Sequence, residues 1–161
     1  MSRSLSIYLR NHEAAAQAGR DLFGRAAASH RGKSYGVELS ALVTEVGQDL
    51  DSLHELMTEL RTSPDPVMGT VLRIGERLGR LKPNGQLLSR SPLSDLIEIE
   101  GLLDAVHAKA SGWKALAAAD VGTEGSPDLQ VLLARAASQV ERLGAIHDVV
   151  AADVLDQART P

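Results

Sequence analysis

Residues 63–91 of the chain read SPDPVMGTVLRIGERLGRLKPNGQLLSRS, and this long connection decides how the helices around it are joined. Two nearby prolines, Pro64 and Pro66, exclude a continuous helix at its start. The apolar residues that follow recur at helical spacing, at Val67, Val71, Ile74, Leu78 and Leu81. They predict a short helix over residues 66–82, which ends at the turn Lys82-Pro83-Asn84-Gly85.

On both sides of this connection, apolar residues recur at alternating steps of three and four, which is typical of amphipathic helices. The pattern predicts long helices over residues 5–30 and 37–62 before the connection, and over residues 92–119 and 127–157 after it. A short glycine-bearing loop separates the members of each pair. We therefore expect two antiparallel helical hairpins.

Two hairpins joined by a long crossover are typical of ferritin-like connectivity. We predict an all-α, single-domain, four-helix bundle of this ferritin-like type over residues 1–161, with the shorter fifth helix in its crossover. A simple up-down-up-down bundle is the alternative, although it needs only a short loop between the hairpins.

The composition agrees with helices and excludes several classes of function. Aromatic residues make up 2% of the 161 residues, whereas sheets rely on aromatic and β-branched side chains. The chain has no cysteine, which excludes disulfides, thiol catalysis and cysteine-ligated metal centres. A net charge of −4 argues against nucleic acid as a partner. No apolar run approaches the ~20 residues of a membrane span, so we expect a cytoplasmic protein.

Several short motifs resemble those of a known group of proteins. They are Tyr8-Leu9-x-Asn11-His12, Gly79-Arg80-Leu81-Lys82-Pro83-Asn84-Gly85, Arg90-Ser91-Pro92-Leu93, Glu98-x-Glu100 and Lys109-x-x-x-Trp113. Together they resemble a family of small uncharacterised bacterial proteins with ferritin-like helical bundles. The resemblance covers residues 5–116 and implies the bundle fold. It implies no function, because the family has no known activity to transfer.

Ferritin-like di-iron proteins place a Glu on each of two helices and a Glu-x-x-His on each of the other two. The last helix has Gly144 three residues before His147, so the required Glu is missing. Asp51 precedes His54 at the right spacing, but it falls almost opposite the apolar stripe. Glu13 is expected to point away from the core stripe. The sequence therefore predicts no metal ligands and no cofactor.

Three polar residues border the predicted core and are candidates for ligand binding. His12 lies in the middle of the first apolar stripe, Asp49 at the edge of the second, and Lys109 four residues before Trp113. In the ferritin-like arrangement Lys109 should come within reach of His12 or Asp49. One interpretation is a structural ion pair that fixes helix register, with His12 and His147 as buried, hydrogen-bonded histidines. The other is a small-ligand pocket built from His12, Asp49 and Lys109.

The predicted crossover helix is unusually basic. Arg73, Arg77 and Arg80 share one of its faces, away from the apolar residues. This face is interpreted either as a patch for an acidic protein or a small anion, or as a solvated face that pairs with carboxylates of the long helices.

No motif in the chain points to catalysis. It has no glycine-rich phosphate loop, nucleophile elbow, zincin motif or EF-hand loop, so an enzyme is not favoured. The first hypothesis is a non-catalytic structural or protein-interaction role, with a homodimer formed through helix faces that a lone bundle leaves apolar. The alternative is a metal- or small-ligand-binding ferritin-like protein with a degenerate carboxylate and histidine site.

Overall fold

A computed structural model describes residues 2–64, 92–122 and 125–157, and within them the chain forms four α-helices and no strand. The helices are α1 (Arg3–Ser29), α2 (Gly36–Glu59), α3 (Pro92–Ala118) and α4 (Leu129–Gln157). The predicted all-α class and four long helices are confirmed. The short helix predicted over residues 66–82 lies outside the described residues. None of the described helices has the length and apolar character needed to cross a membrane.

Side-chain caps explain where two of the helices begin. The Ser2 hydroxyl accepts a hydrogen bond from the Leu5 amide at 3.2 Å, so α1 begins at Arg3. The Asp128 carboxylate accepts one from the Gln130 amide at 2.8 Å, which places the start of α4 at Leu129. Both residues satisfy amides that have no partner inside the helix.

Residues with a left-handed backbone conformation explain where α2 and α3 end. Arg61 has φ of 51°, and the next amide, that of Thr62, donates to the Met57 carbonyl at 2.8 Å. This Schellman arrangement ends α2 at Glu59, three residues before the predicted end at 62. Asp120, with φ of 50°, ends α3 in the same way.

The turn between α1 and α2 brings two backbone segments close together. A Cβ at Gly36 would lie 2.7 Å from the His30 carbonyl oxygen, so only glycine fits there. His30 is fully buried, and its two ring nitrogens lie 2.8 Å from the Tyr35 hydroxyl and 2.9 Å from Glu98 of α3. The histidine therefore ties this turn to the start of the second hairpin.

The helix directions follow from contacts between named residues. α1 packs against α2 and α3, and α4 packs against α3 and α2. His12 of α1 contacts Gly112 of α3, and His30, which directly follows α1, contacts Glu98 near the start of α3. The helices α1 and α3 therefore run antiparallel. Because α2 also runs antiparallel to α1, α2 and α3 run parallel. Among the described helices the backbones of α2 and α3 do not come close to each other, so the two helices lie on a diagonal of the four-helix arrangement.

The core consists of two apolar clusters separated along the bundle axis. Residues that form the first cluster include Phe23, Leu39, Leu42, Ile99, Leu102 and Leu143. Residues that form the second include Leu9, Leu53, Leu56, Met57, Trp113 and Leu132. Between them lies a polar layer, defined here as Asp49 of α2, Lys109 of α3 and Gln139 of α4. The candidate site lies at the level of this layer.

Candidate functional site

A cavity of about 490 Å³ opens between α1 and α3, with residues of α2 at its base. The two helices line it with small residues, which are Ala15, Ala16, Ala18, Gly19, Gly101, Ala105, Ala108 and Gly112. Exposed polar residues on its border, Asn11, Glu100 and Asp104, mark the side that faces water. Small-molecule sites in proteins typically have volumes of about 300–1,000 Å³, and this cavity lies within that range.

All three residues that were proposed from the sequence as ligand-binding candidates line this cavity. His12 comes from α1, Asp49 from α2 and Lys109 from α3. The Lys109 ammonium donates hydrogen bonds to Asp49 and to the side-chain oxygen of Gln139. Lys109 was expected within reach of His12 or Asp49, and the structure shows the contact with Asp49. Burial lowers the pKa of Lys109, and the negative charge of Asp49 opposes that change.

The polar layer is held together by shared hydrogen bonds to Asp49, which is 2% exposed. The Gln139 amide nitrogen donates to Asp49 at 3.1 Å and to Glu45 at 3.2 Å. The Nε of Arg135 lies 2.6 Å from the other oxygen of Asp49 and forms an ion pair with it. The two atoms make no hydrogen bond, because the N–H of Arg135 does not point at this oxygen. The buried carboxylate is thereby surrounded by two cations and an amide, as a buried charge requires.

A second set of charges continues this pairing along α2 and α4. Arg142 donates a hydrogen bond to Glu38 at 3.0 Å and another to Glu45. The hydrogen bond from Arg142 lowers the pKa of Glu45, and the same bond raises the pKa of Arg142. With Asp49, Lys109 and Arg135, these residues make three acidic and three basic side chains, so the network is electrically balanced.

His12 differs from these residues because its imidazole pairs with none of the described side chains. Its ring centroid lies 4.4 Å from that of Tyr8, and the ring rests on the α3 backbone at Gly112. A Cβ at Gly112 would lie 2.8 Å from His12 Nδ1. Burial lowers the pKa of His12 and thereby favours the neutral form of its ring. The expected hydrogen bond from His12 to a neighbouring polar group is absent among the described residues.

The structure corrects two other expectations about single residues. Glu13 was expected to point away from the core, but it is buried where α1 packs against α2 and contacts His54 at 3.2 Å. His147 was expected to be buried, but it is partly exposed and lies 3.5 Å from Glu100. The predicted basic face of Arg73, Arg77 and Arg80 lies outside the described residues.

Among the described residues, no three histidine or carboxylate side chains converge where they could share a metal ion. Asp51 is exposed, and His54 is directed at Glu13 instead.

Five residues of the network were not selected as candidates from the sequence: Glu38, Glu45, Arg135, Gln139 and Arg142. The position of Gln139 in the core could have been predicted from the sequence, because it lies three residues after Ala136 and four before Leu143, both of which face the core. A glutamine at such a position predicts a polar partner inside the bundle. The two arginines lie at the edge of that face and reach the network through long side chains, which periodicity does not reveal.

The chain matches no protein-family model, no curated protein and no solved structure in comparisons with all three. The part of the chain that the structure describes is a four-helix, all-α protein with a polar layer in its core and a cavity beside that layer.

Proposed function

We propose that the chain is a non-catalytic binding protein that holds a small, largely apolar molecule in the cavity between α1 and α3. The observation that carries the proposal is the convergence of His12, Asp49 and Lys109 on one otherwise apolar cavity. Ligand sites commonly combine an apolar wall with a few polar groups that orient the ligand.

The small residues that line the cavity support the same proposal. Protein cores are close-packed, and an empty apolar space is unfavourable because the surrounding atoms lose their contacts. At Ala15, Ala16 and Ala108, larger apolar side chains would take up space that alanine leaves open. A ligand would restore the missing contacts.

Trp113 allows a direct test of this proposal. It is the only tryptophan in the chain, it is 3% exposed, and it lines the cavity. We expect the neutral dye N-phenylnaphthylamine to quench its emission by energy transfer, with saturation at one dye per chain. Titration of the folded protein, followed by tryptophan and dye emission, measures this.

Two leucine variants make the test specific. Ala16→Leu places a larger side chain in the cavity and should abolish dye binding, whereas Ala134→Leu, on the exposed surface of α4, should leave it unchanged. Circular dichroism checks that both variants stay folded. Quenching that never saturates, or equal binding by both variants, would refute the proposal.

We also propose that the whole chain has the ferritin-like connectivity expected from its sequence. The parallel, diagonal placement of α2 and α3 supports this, because ferritin-like bundles place their second and third long helices in this way. Spin labels on cysteines introduced at Val37 and Leu93 should lie close together, at one end of the bundle. Labels at Val37 and Ala119 should be about 40 Å apart, the length of α3. An up-down bundle would reverse these two results.

A second candidate function is the structural or protein-interaction role, with a second copy of the chain as the partner. Val131 and Val149 of α4 are 58% and 45% exposed and lie about five turns apart on one face. Light scattering should then give twice the mass of one chain. Val131→Asp with Val149→Asp should halve that mass, whereas Ala137→Asp on another face of α4 should not. A monomeric mass for the unaltered chain would refute this candidate.

A further inference from the structure

The polar groups of the cavity indicate which chemical class of ligand it suits. Lys109 has three ammonium protons, and the side chains of Asp49 and Gln139 accept two of them. One donor remains on a side chain that lines the cavity. His12 adds an imidazole with no hydrogen-bond partner among the described residues. Together they form the polar side of an otherwise apolar space.

Asp49 does not make this site repel an anion. Its carboxylate already accepts hydrogen bonds from Lys109 and Gln139 and lies against Arg135. Two cations next to one carboxylate leave the deep end of the cavity without excess negative charge. Glu100 and Asp104 lie at the exposed border, where water and salt screen their charges.

The shape of the cavity suits an extended molecule rather than a compact one. Its lining follows α1 from His12 to Phe23, which is about 16 Å along the helix axis. On α3 the lining extends from Trp113 and Lys109 to Ile97, so both walls continue past the polar groups. Beyond His12 and Lys109 the buried part of the lining is apolar.

We propose that the ligand is a monocarboxylic acid with an unbranched apolar chain, whose carboxylate binds between Lys109 and His12. This inference rests on the proposed function. The chain of the ligand lies between α1 and α3, towards Phe23 and Ile97. The remaining Lys109 proton and the His12 ring bind the carboxylate oxygens, and His12 takes up one proton from solvent as the acid anion binds.

The environment of His12 explains why a carboxylate fits better than an amine or an alcohol. Besides Tyr8 on its own helix, the ionisable groups around the cavity are Asp49 on α2 and Lys109 on α3, with Glu100 and Asp104 at the border. Asp49 is already engaged, so the imidazolium form of His12 lacks a counter-ion. An acid anion supplies one, whereas an amine adds a cation beside Lys109 and an alcohol adds no charge.

Decanoate, decanol and decylamine test the inference, because they share one chain and differ in the head group. Calorimetry with the full chain should give a dissociation constant about tenfold lower for decanoate than for decanol, the difference expected when a neutral hydrogen bond becomes charge-assisted. Decanoate should bind more tightly at about pH 6 than at about pH 8, whereas decanol should show no such change. Buffers of different ionisation enthalpy should reveal proton uptake for decanoate only.

Two histidine variants locate the effect. His12→Gln should abolish the proton uptake and the pH dependence while decanol binding remains. His107→Gln, at an exposed position on α3, should behave as the unaltered chain does. Equal affinity for decanoate and decanol, or tighter binding of decylamine, would overturn the inference but leave the cavity as a binding site. Failure of all three ligands and of N-phenylnaphthylamine would overturn the proposed function as well.

Discussion

The α1–α3 and α2–α4 interfaces of the bundle are built in opposite ways. Glycine and alanine line the first, where a Cβ added at Gly19 would lie 3.9 Å from that of Ala105. Glutamates, arginines and a glutamine bridge the second, with Arg142 on Glu38 and Gln139 on Glu45 and Asp49. Short side chains leave a cavity in one interface, whereas long ones occupy the space in the other.

This difference predicts that one interface contributes mainly to stability and the other mainly to the proposed binding. We expect the charged interface to hold α2 and α4 in one register, because each carboxylate has a defined partner on the other helix. The small-residue interface leaves His12 and one proton of Lys109 unused by the described side chains. Changes in the charged interface should therefore alter stability first, and changes in the small-residue interface should alter binding first.

The largest expected effect is the loss of Asp49. Asp49→Ala leaves Lys109 and Arg135 without their shared carboxylate in the core, and breaking a buried pair in this way costs about 3–5 kcal/mol. Urea denaturation measures the change. Glu38→Ala removes an exposed partner of Arg142 and should cost less than about 1 kcal/mol. Similar losses for the two variants would mean that the layer does not act as a buried charge network.

Gly112 should give the next largest effect, this time in the small-residue interface. Gly112→Ala places a methyl group 2.8 Å from His12 Nδ1, so the ring must move. Overpacking of this kind typically costs about 1–3 kcal/mol. Dye or decanoate binding should weaken together with stability, which titration and urea denaturation measure on the same sample. Unchanged binding would mean that His12 does not contribute to ligand binding.

Gly19 provides the matched contrast on the opposite wall. A Cβ there would make only ordinary contact, at 3.9 Å from Ala105, so Gly19→Ala introduces no clash. Because alanine favours helix more than glycine does, we expect a gain of up to about 1 kcal/mol in the free energy of unfolding. Thermal unfolding measures it. A loss of stability would show that α1 and α3 approach too closely at this level to admit a methyl group.

The two interfaces also differ in how far the sequence predicts them. For a ferritin-like arrangement, counting residues back from the loops predicted that Lys109 comes within reach of His12 or Asp49, because helices have a constant rise per residue. The burial of Glu13 was not predicted, since it depends on how α1 packs against α2. Arg135 and Arg142 were missed because their long side chains reach the network from the edge of the helix face. Periodicity identifies which face of a helix is buried, whereas the partners across an interface depend on packing.

The smallest effect concerns the pH dependence of stability and involves His12. Burial lowers the pKa of His12 in the folded chain below its value in the unfolded chain, about 6.5. Below about pH 6.5 the unfolded chain therefore binds more protons, and stability falls as the pH falls. His12→Gln should reduce this slope between about pH 5 and 6.5, a range above that in which Glu45 titrates. Urea denaturation at a series of pH values measures the slope.

The pH dependence of stability should also change when decanoate is bound. If the acid anion binds beside His12, saturating decanoate should make the slope of the unaltered chain shallower over the same range, because the bound carboxylate stabilises the imidazolium in the folded state. In His12→Gln, decanoate should raise stability without changing the slope. Decanol should do the same in both proteins, since it carries no charge. An identical slope in the unaltered chain and in His12→Gln, with and without decanoate, would mean that His12 exchanges no proton during folding or binding.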